Sequence, residues 1–213
     1  MPTTPLRVNI AKLEGALKNL SAAISNNTSR EHCLRLWSHF IRMRDGNRCV
    51  ACHSRKSLSA HHVIRKSFLN EAELYTGNGI TLCRDCHKEP HKAYNGRPNL
   101  ALPMDAEGGE QIETMTALFW LLLDDARKRY LLREDFYFLS ESTLSRFKLF
   151  QGFDWNAPFP GTAIEQAYLI WRQTPRGMRD AVLAANGFKL PKNFIQTGRV
   201  VIVFESGHIE TIK

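Results

Sequence analysis

The chain has 213 residues, 43% of them hydrophobic and 10% aromatic; that suits one compact domain or two small ones and excludes a disordered chain. Its longest apolar run, around Met115 to Leu123, is too short to span a bilayer and meets Asp124 and Asp125 at once. The net charge of +8 comes from residues 1–100, where 16 Lys/Arg stand against 7 Asp/Glu for a net +9, while residues 101–213 carry 13 against 14, a net −1. A basic half suits a polyanionic partner, most simply nucleic acid. With no signal-peptide pattern at the N-terminus, the expected setting is soluble and cytoplasmic, with no membrane partner.

In chain order, Leu6, Ile10, Leu13, Leu17, Leu20 and Ile24 recur at helical spacing and predict an amphipathic helix over 5–25. "SNNTS" breaks it, and Ser29 caps a second helix to about Met43, with Leu34, Trp37, Phe40 and Ile41 inward. "RDGN" ends that helix in a turn. Short β-prone pieces fill 48–64 and end in the pair His61-His62. Residues 66–79 read as irregular, with a helical turn at "LNEAELY" and a loop at "TGNG". "ITL" is a short strand, and 84–95 a helix in which Pro90 sits awkwardly.

A linker is expected between about 95 and 111, at "NGRPN" and "DAEGGE". Helices are expected at 112–132, 140–150, 163–173 and 176–186, the last between Pro175 and Gly187. Trp120, with Phe119 and Leu121 to Leu123, reads as core. "RVVIVFESGHIETI" reads as a closing hairpin turning at "SG".

Five cysteines and no sign of export argue against a disulfide framework. Cys33 stands alone in a helical pattern and reads as a buried thiol. Cys49, Cys52, Cys83 and Cys86 form two C-x-x-C pairs, each able to present two thiolates to one tetrahedral Zn²⁺. Redox-active or free thiols are the competing reading. The His pair lies in the insertion between the two knuckles, so a zinc would staple both ends of that insertion. Adjacent strand positions diverge, which separates the surroundings of His61 and His62. His87 and His91 are four apart, one helical face with room for a shared ion; a substitute zinc ligand is the alternative for either.

The stretch "RDGNRCVACHSRKSLSAHHVIRKSF…GNGITLCRDCHKEPH" closely resembles the HNH endonuclease family, the ββα-metal nucleases, over about residues 42–92. The resemblance implies that His61, His87 and His91 ligate a catalytic divalent metal, that His62 is the general base, and that the side chain of Asn78 orients that base. It implies cleavage to 5′-phosphate and 3′-hydroxyl ends, in a prokaryotic or phage setting such as packaging, restriction, defence or a mobile element. The family often has Pro where Arg65 stands, and Asn-Leu where Asn78-Gly79 stands. Arg65 could instead contact a phosphate, and Gly79 is expected to loosen the loop.

The expected cofactors are a structural Zn²⁺ on the four cysteines and a catalytic Mg²⁺, Mn²⁺, Ni²⁺ or Zn²⁺. Of the cations in and before the motif, including Arg42 and Arg44, those expected at nucleic acid are Arg48, Arg65, Lys66 and Lys88. The expected architecture is α+β: a helical lead-in at 1–45, a ββα-metal nuclease core at 46–97 stapled by the four-cysteine zinc, a linker at 98–111, and a mostly helical region at 112–213 with a terminal β-hairpin. The expected function is metal-dependent hydrolysis of phosphodiesters, with double-stranded DNA the expected substrate. The alternative is a catalytically silent zinc-stapled DNA-binding or scaffold module. Residues 112–213 suit sequence reading, a homo-oligomer contact or a regulatory partner.

Overall fold

A computed structural model describes residues 9–91 and 111–173 in full and the strands at 192–196, 199–203 and 209–212 by backbone alone. Helix α1 spans Ile10–Ser25 and α2 Arg30–Arg44. Strand β1 (Leu58–His62) and β2 (Gly79–Cys83) form an antiparallel pair that runs straight into the short helix α3 (Arg84–Lys88). Helices α4 (Ile112–Lys128), α5 (Glu141–Phe150) and α6 (Ala163–Arg172) follow. Strands β3 (Lys192–Gln196), β4 (Arg199–Val203) and β5 (Ile209–Ile212) form a three-stranded antiparallel sheet in that order. The architecture is α+β, as expected.

Local signals set the helix ends. Asn9 caps α1 by accepting from Lys12 N–H at 3.1 Å, so this helix starts five residues later than the apolar spacing suggests. Residues before Asn9 lie outside the described residues. Ser29 caps α2, and Asp45, Gly46 and Asn47 end it, the last two at positive φ. Ser140 caps α5, accepting from Thr143 N–H at 3.1 Å. Glu165 Oε2 takes Thr162 N–H at 2.9 Å in the capping box of α6. Helix α4 stops at Lys128, two residues before Tyr130 at φ 55°.

Two expectations need correction and one, the closing hairpin, is extended. The helix after the second knuckle ends at Lys88 and tightens into a 3₁₀ turn over Glu89–His91, because Pro90 has no N–H to continue the α-ladder. The closing hairpin is two strands of a three-stranded sheet, with β3 added from "KNFIQ". Trp120 is 44% exposed and leans on Tyr168, whereas its neighbours Phe119, Leu122 and Leu123 are buried. The helix expected at 176–186, the residues between β4 and β5, and most of the expected linker lie outside the described residues.

One hydrophobic cluster runs from Leu13 and Leu20 of α1 through Trp37, Phe40 and Ile41 of α2 and the apolar residues of β2, to Phe119, Phe147, Ile170 and Trp171. Helix α2 lies across both strands of the β pair, and α4 packs on α6. Polar bonds join the same regions. Gly77 N–H donates to Phe138 O at 2.8 Å, an approach so close that a Cβ at Gly77 would stand 2.6 Å from Tyr137 O. Arg44 is wholly buried, with Asp45 beside it. Its guanidinium donates to Asp45 Oδ1 at 2.8 Å, Thr76 O at 2.6 Å, Gly79 O at 2.6 Å and Phe136 O at 3.1 Å, and lies over the Tyr137 ring. This arginine, whose sequence position suggested phosphate contact, instead ties α2 to the start of β2 and to the segment after α4.

Candidate metal centres and active site

Two clusters share the short helix α3, which carries Cys86 of one and His87 of the other. At the Leu58↔Cys83 end, the first knuckle closes through Cys49 N–H to Ser54 O at 2.8 Å and His53 N–H to Cys49 O at 2.9 Å, with His53 at positive φ. The second knuckle spans the junction of β2 and α3. The sulfurs of Cys49, Cys52, Cys83 and Cys86 lie within 4.8 Å of one another. Cys52 Sγ is 3.6 Å from Cys83 Sγ, far longer than a disulfide and close to the ~3.8 Å edge of a tetrahedron with ~2.3 Å Zn–S bonds. The backbone N–H of Cys86 lowers the Cys83 thiol to about 7, against burial, while burial pushes Cys86 up. The group could hold a structural zinc, which would lock both ends of the insertion.

The second cluster is His61, His87 and His91, whose ligand atoms also lie within 4.8 Å of one another. His91 Nε2 is 3.2 Å from His61 Nε2 and 3.3 Å from His87 Nε2. Three nitrogens bound to one tetrahedral ion at ~2.0–2.1 Å stand about 3.3 Å apart, so the imidazoles fit a small divalent cation and leave one face open. His61 comes from β1, His87 from α3 and His91 from the 3₁₀ turn; the tighter turn after Lys88 still brings the last two together. Ser59 Oγ lies 3.4 Å from His87 Nδ1, which leaves Nε2 for the cluster. Burial first, then the neighbouring His87 and His91, depress His61 to about 3, and burial also lowers His87. Both shifts favour the neutral imidazole, the form a metal ligand requires. Thr114 and Met115 of α4 line the pocket beside His61 and His91, together with Arg65.

His62, next on β1, faces a different environment. Its Nε2 is 2.9 Å from Glu73 O, and its ring stacks on Trp37 with centroids 4.3 Å apart. A carbonyl only accepts, so Nε2 carries the proton and the lone pair lies on Nδ1. Burial lowers His62 below the usual histidine range, against the Glu73 carbonyl bond. Glu73 is itself gripped by two guanidinium nitrogens of Arg30, one at 2.9 Å, which hold its carboxyl below the usual range.

Asn78 is fully buried but makes no hydrogen bond to the His62 ring. Its Oδ1 accepts from Ile64 N–H at 2.8 Å, and its Nδ2 donates to Ile64 O and Ala72 O, both at 3.0 Å. These bonds brace the 63–78 loop, one residue from the carbonyl that His62 uses. Gly79 does not loosen that loop: it is buried in β2, paired with His62.

Residues 49–93 match the HNH endonuclease family model. No curated protein and no solved structure gives a significant match to the chain. The HNH match contains both knuckles, the three clustered histidines and His62. It leaves out Trp37 and Arg30 on α2, and Thr114 and Met115 on α4. The four cations expected at nucleic acid are placed unequally. Arg48 is 15% exposed and bonded to Asp125 and His53, so it joins α4 to the first knuckle rather than facing solvent. Lys66 lies 3.6 Å from Glu73, and Lys88, 62% exposed, 3.9 Å from Asp85. Arg65 lies beside His61, in the same pocket.

Neither Trp37 nor the Glu73 carbonyl carries a sequence motif: the pattern marks Trp37 only as core, and a backbone acceptor has no signature in residue type. Among the described residues no helix is long and apolar enough to cross a membrane.

Proposed function

We propose that this chain is a metal-dependent endonuclease that hydrolyses phosphodiester bonds of nucleic acid, with duplex DNA the substrate favoured by its basic half. The observation that carries the proposal is the adjacency of two unlike histidine environments: three imidazole nitrogens converging within 4.8 Å, and next to them a histidine whose Nε2–H is tied to a carbonyl.

On this reading His62 Nδ1 takes a proton from water, and the water oxygen attacks phosphorus in line with the 3′ oxygen. The P–O3′ bond breaks, the 3′ oxygen takes a proton from solvent, and the ends are 5′-phosphate and 3′-hydroxyl. A divalent ion on His61, His87 and His91 would supply Lewis-acid charge to the phosphate and the leaving oxygen. Asn78 holds the loop that carries Glu73 O, and Glu73 O holds the His62 tautomer. Arg65, beside the histidines, offers charge to the phosphate. The four cysteines would hold a structural zinc. Residues 46–97 then form the nuclease core, and the flanking helices buttress it from outside.

The test is digestion of plasmid, linear duplex, single-stranded DNA and RNA with Mg²⁺, Mn²⁺, Ni²⁺, Zn²⁺ or EDTA. Duplex DNA cut only with metal, leaving 5′-phosphate ends, is the expected result. Tight DNA binding with no cleavage under any metal would favour a silent zinc-stapled scaffold.

A further inference from the structure

The imidazole of His62 is held at one edge by Glu73 O. One bond fixes a point on the ring but leaves rotation about it. The face of the ring is covered by Trp37, with centroids 4.3 Å apart and planes 8° from parallel. The indole is itself anchored: it is 2% exposed, and its Nε1–H donates to Tyr75 O at 3.1 Å. Glu73 and Tyr75 are two residues apart in one loop, so the imidazole edge and the indole edge dock on the same short segment. Arg30, two helical turns before Trp37 on α2, clamps the Glu73 carboxylate.

The space for this indole comes from Gly79, the position where the chain departs from the family's Asn-Leu. Gly79 is directly opposite His62 in the β ladder. A Cβ there would stand 2.7 Å from Trp37 Cζ2 and 2.6 Å from Ile41 Cδ1, too close for either. Any side chain at 79 would force Ile41 and Trp37 to shift. Gly79 and Trp37 are therefore complementary, one giving up the volume that the other fills.

We infer that Trp37 is a positioning residue for His62, and that the working site includes helix α2, outside the segment that matches the HNH family. The inference rests on the reading of His62 as the base. Stacking sets the plane of the imidazole, Glu73 O sets its tautomer, and together they aim Nδ1 at one point.

The test uses full-length zinc-loaded protein with ¹⁵N-labelled histidine. In the wild type, His62 shows a single Nε2–H tautomer, and its ring protons are shifted upfield by the indole. Trp37→Leu loses the upfield shift, and with its plane no longer fixed the ring turns away from Glu73 O and populates both tautomers. Its kcat at saturating DNA falls roughly 10- to 100-fold, as misaiming a catalytic group does, while KM stays within about twofold. Trp37→Phe, which keeps an aromatic face, recovers most of kcat. Phe147→Leu, a buried substitution in α5, leaves both readouts unchanged where all variants are folded. An unchanged tautomer and kcat in Trp37→Leu would overturn the inference. So would a wild-type His62 with no upfield shift, a result that needs no variant to fold. If the wild type cuts no substrate, the nuclease reading fails, and the tautomer measurement alone decides whether Trp37 positions His62.

Discussion

Replacing Arg44 with Met keeps the unbranched stem of the side chain and removes every donor of a wholly buried guanidinium. Asp45, also fully buried, would keep Thr81 N–H at 2.7 Å and Arg129 at 4.0 Å but lose its main counter-charge. The carbonyls of Thr76, Gly79 and Phe136 would lose a charged donor each. Each such bond is worth ~1.5–3 kcal/mol, but bonds sharing one cation do not add. Breaking a buried pair from one side costs ~3–5 kcal/mol, and we expect a loss of that size. Against a typical stability of ~5–15 kcal/mol this leaves a marginal fold. Urea unfolding of zinc-loaded protein, followed by tryptophan fluorescence, reads it directly. With a slope of about 2 kcal/mol/M the midpoint should fall by about 1.5–2.5 M without a change in slope. Arg42→Met, which removes a single bond to Ser38 O, should move it by less than about 0.5 M. An Arg44→Met midpoint within about 0.5 M of wild type would refute the reasoning, since a buried carboxylate cannot lose its partner without cost.

Cys83→Ser should lower bound zinc and melting temperature together, because structural zinc binding is coupled to folding; unchanged values of both, by metal analysis and calorimetry, would contradict the assignment of the four cysteines to zinc. The Arg127 hydrogen bond holds Glu165 below the usual carboxylate range, with burial opposing it. A depressed carboxylate stabilises above its unfolded pKa of about 4.3, and that contribution disappears as pH falls through the folded value. Because Arg127 is 49% exposed, the pair contributes at most ~1 kcal/mol. The melting-temperature gap between wild type and Arg127→Met should therefore narrow from about pH 6 to about pH 3, and an equal gap at both would be the wrong result. The logarithm of DNA affinity should fall linearly with log salt, and Lys88→Ala should shallow that slope by about one unit. Arg48→Ala should instead lower stability, its charge being engaged by Asp125.

The cysteine knuckles and the histidine constellation are legible because metal chemistry requires particular residue types at fixed spacing. The cap at Ser29 was legible for a similar reason, since a hydroxyl before an apolar-periodic run has one obvious use. What failed to show were tertiary partners. Arg44 and Arg48 look like any surface cations beside a basic motif, and only long-range contacts with the chain around Phe136 and with Asp125 turn them inward. The resemblance gives Asn78 the task of orienting the base, but not the three backbone groups its side chain bonds, which composition cannot reveal. Gly79 looked like a loosened loop because its spatial neighbour Trp37 lies far away in sequence and the volume match between them exists only in the fold. Pro90 gave its warning in the sequence, and the helix did end two residues before it.

The most direct measurement pairs isothermal calorimetry of metal binding with cleavage rates for His61→Ala and His62→Ala. His62→Ala should lose ~10²–10⁴ in rate while binding the catalytic metal and DNA about as wild type does, since it removes only the base. His61→Ala should bind that metal more weakly, having lost one imidazole of three, and recover part of its activity as metal concentration rises. Loss of the catalytic metal in His62→Ala with its retention in His61→Ala would contradict the assignment and exchange the two roles.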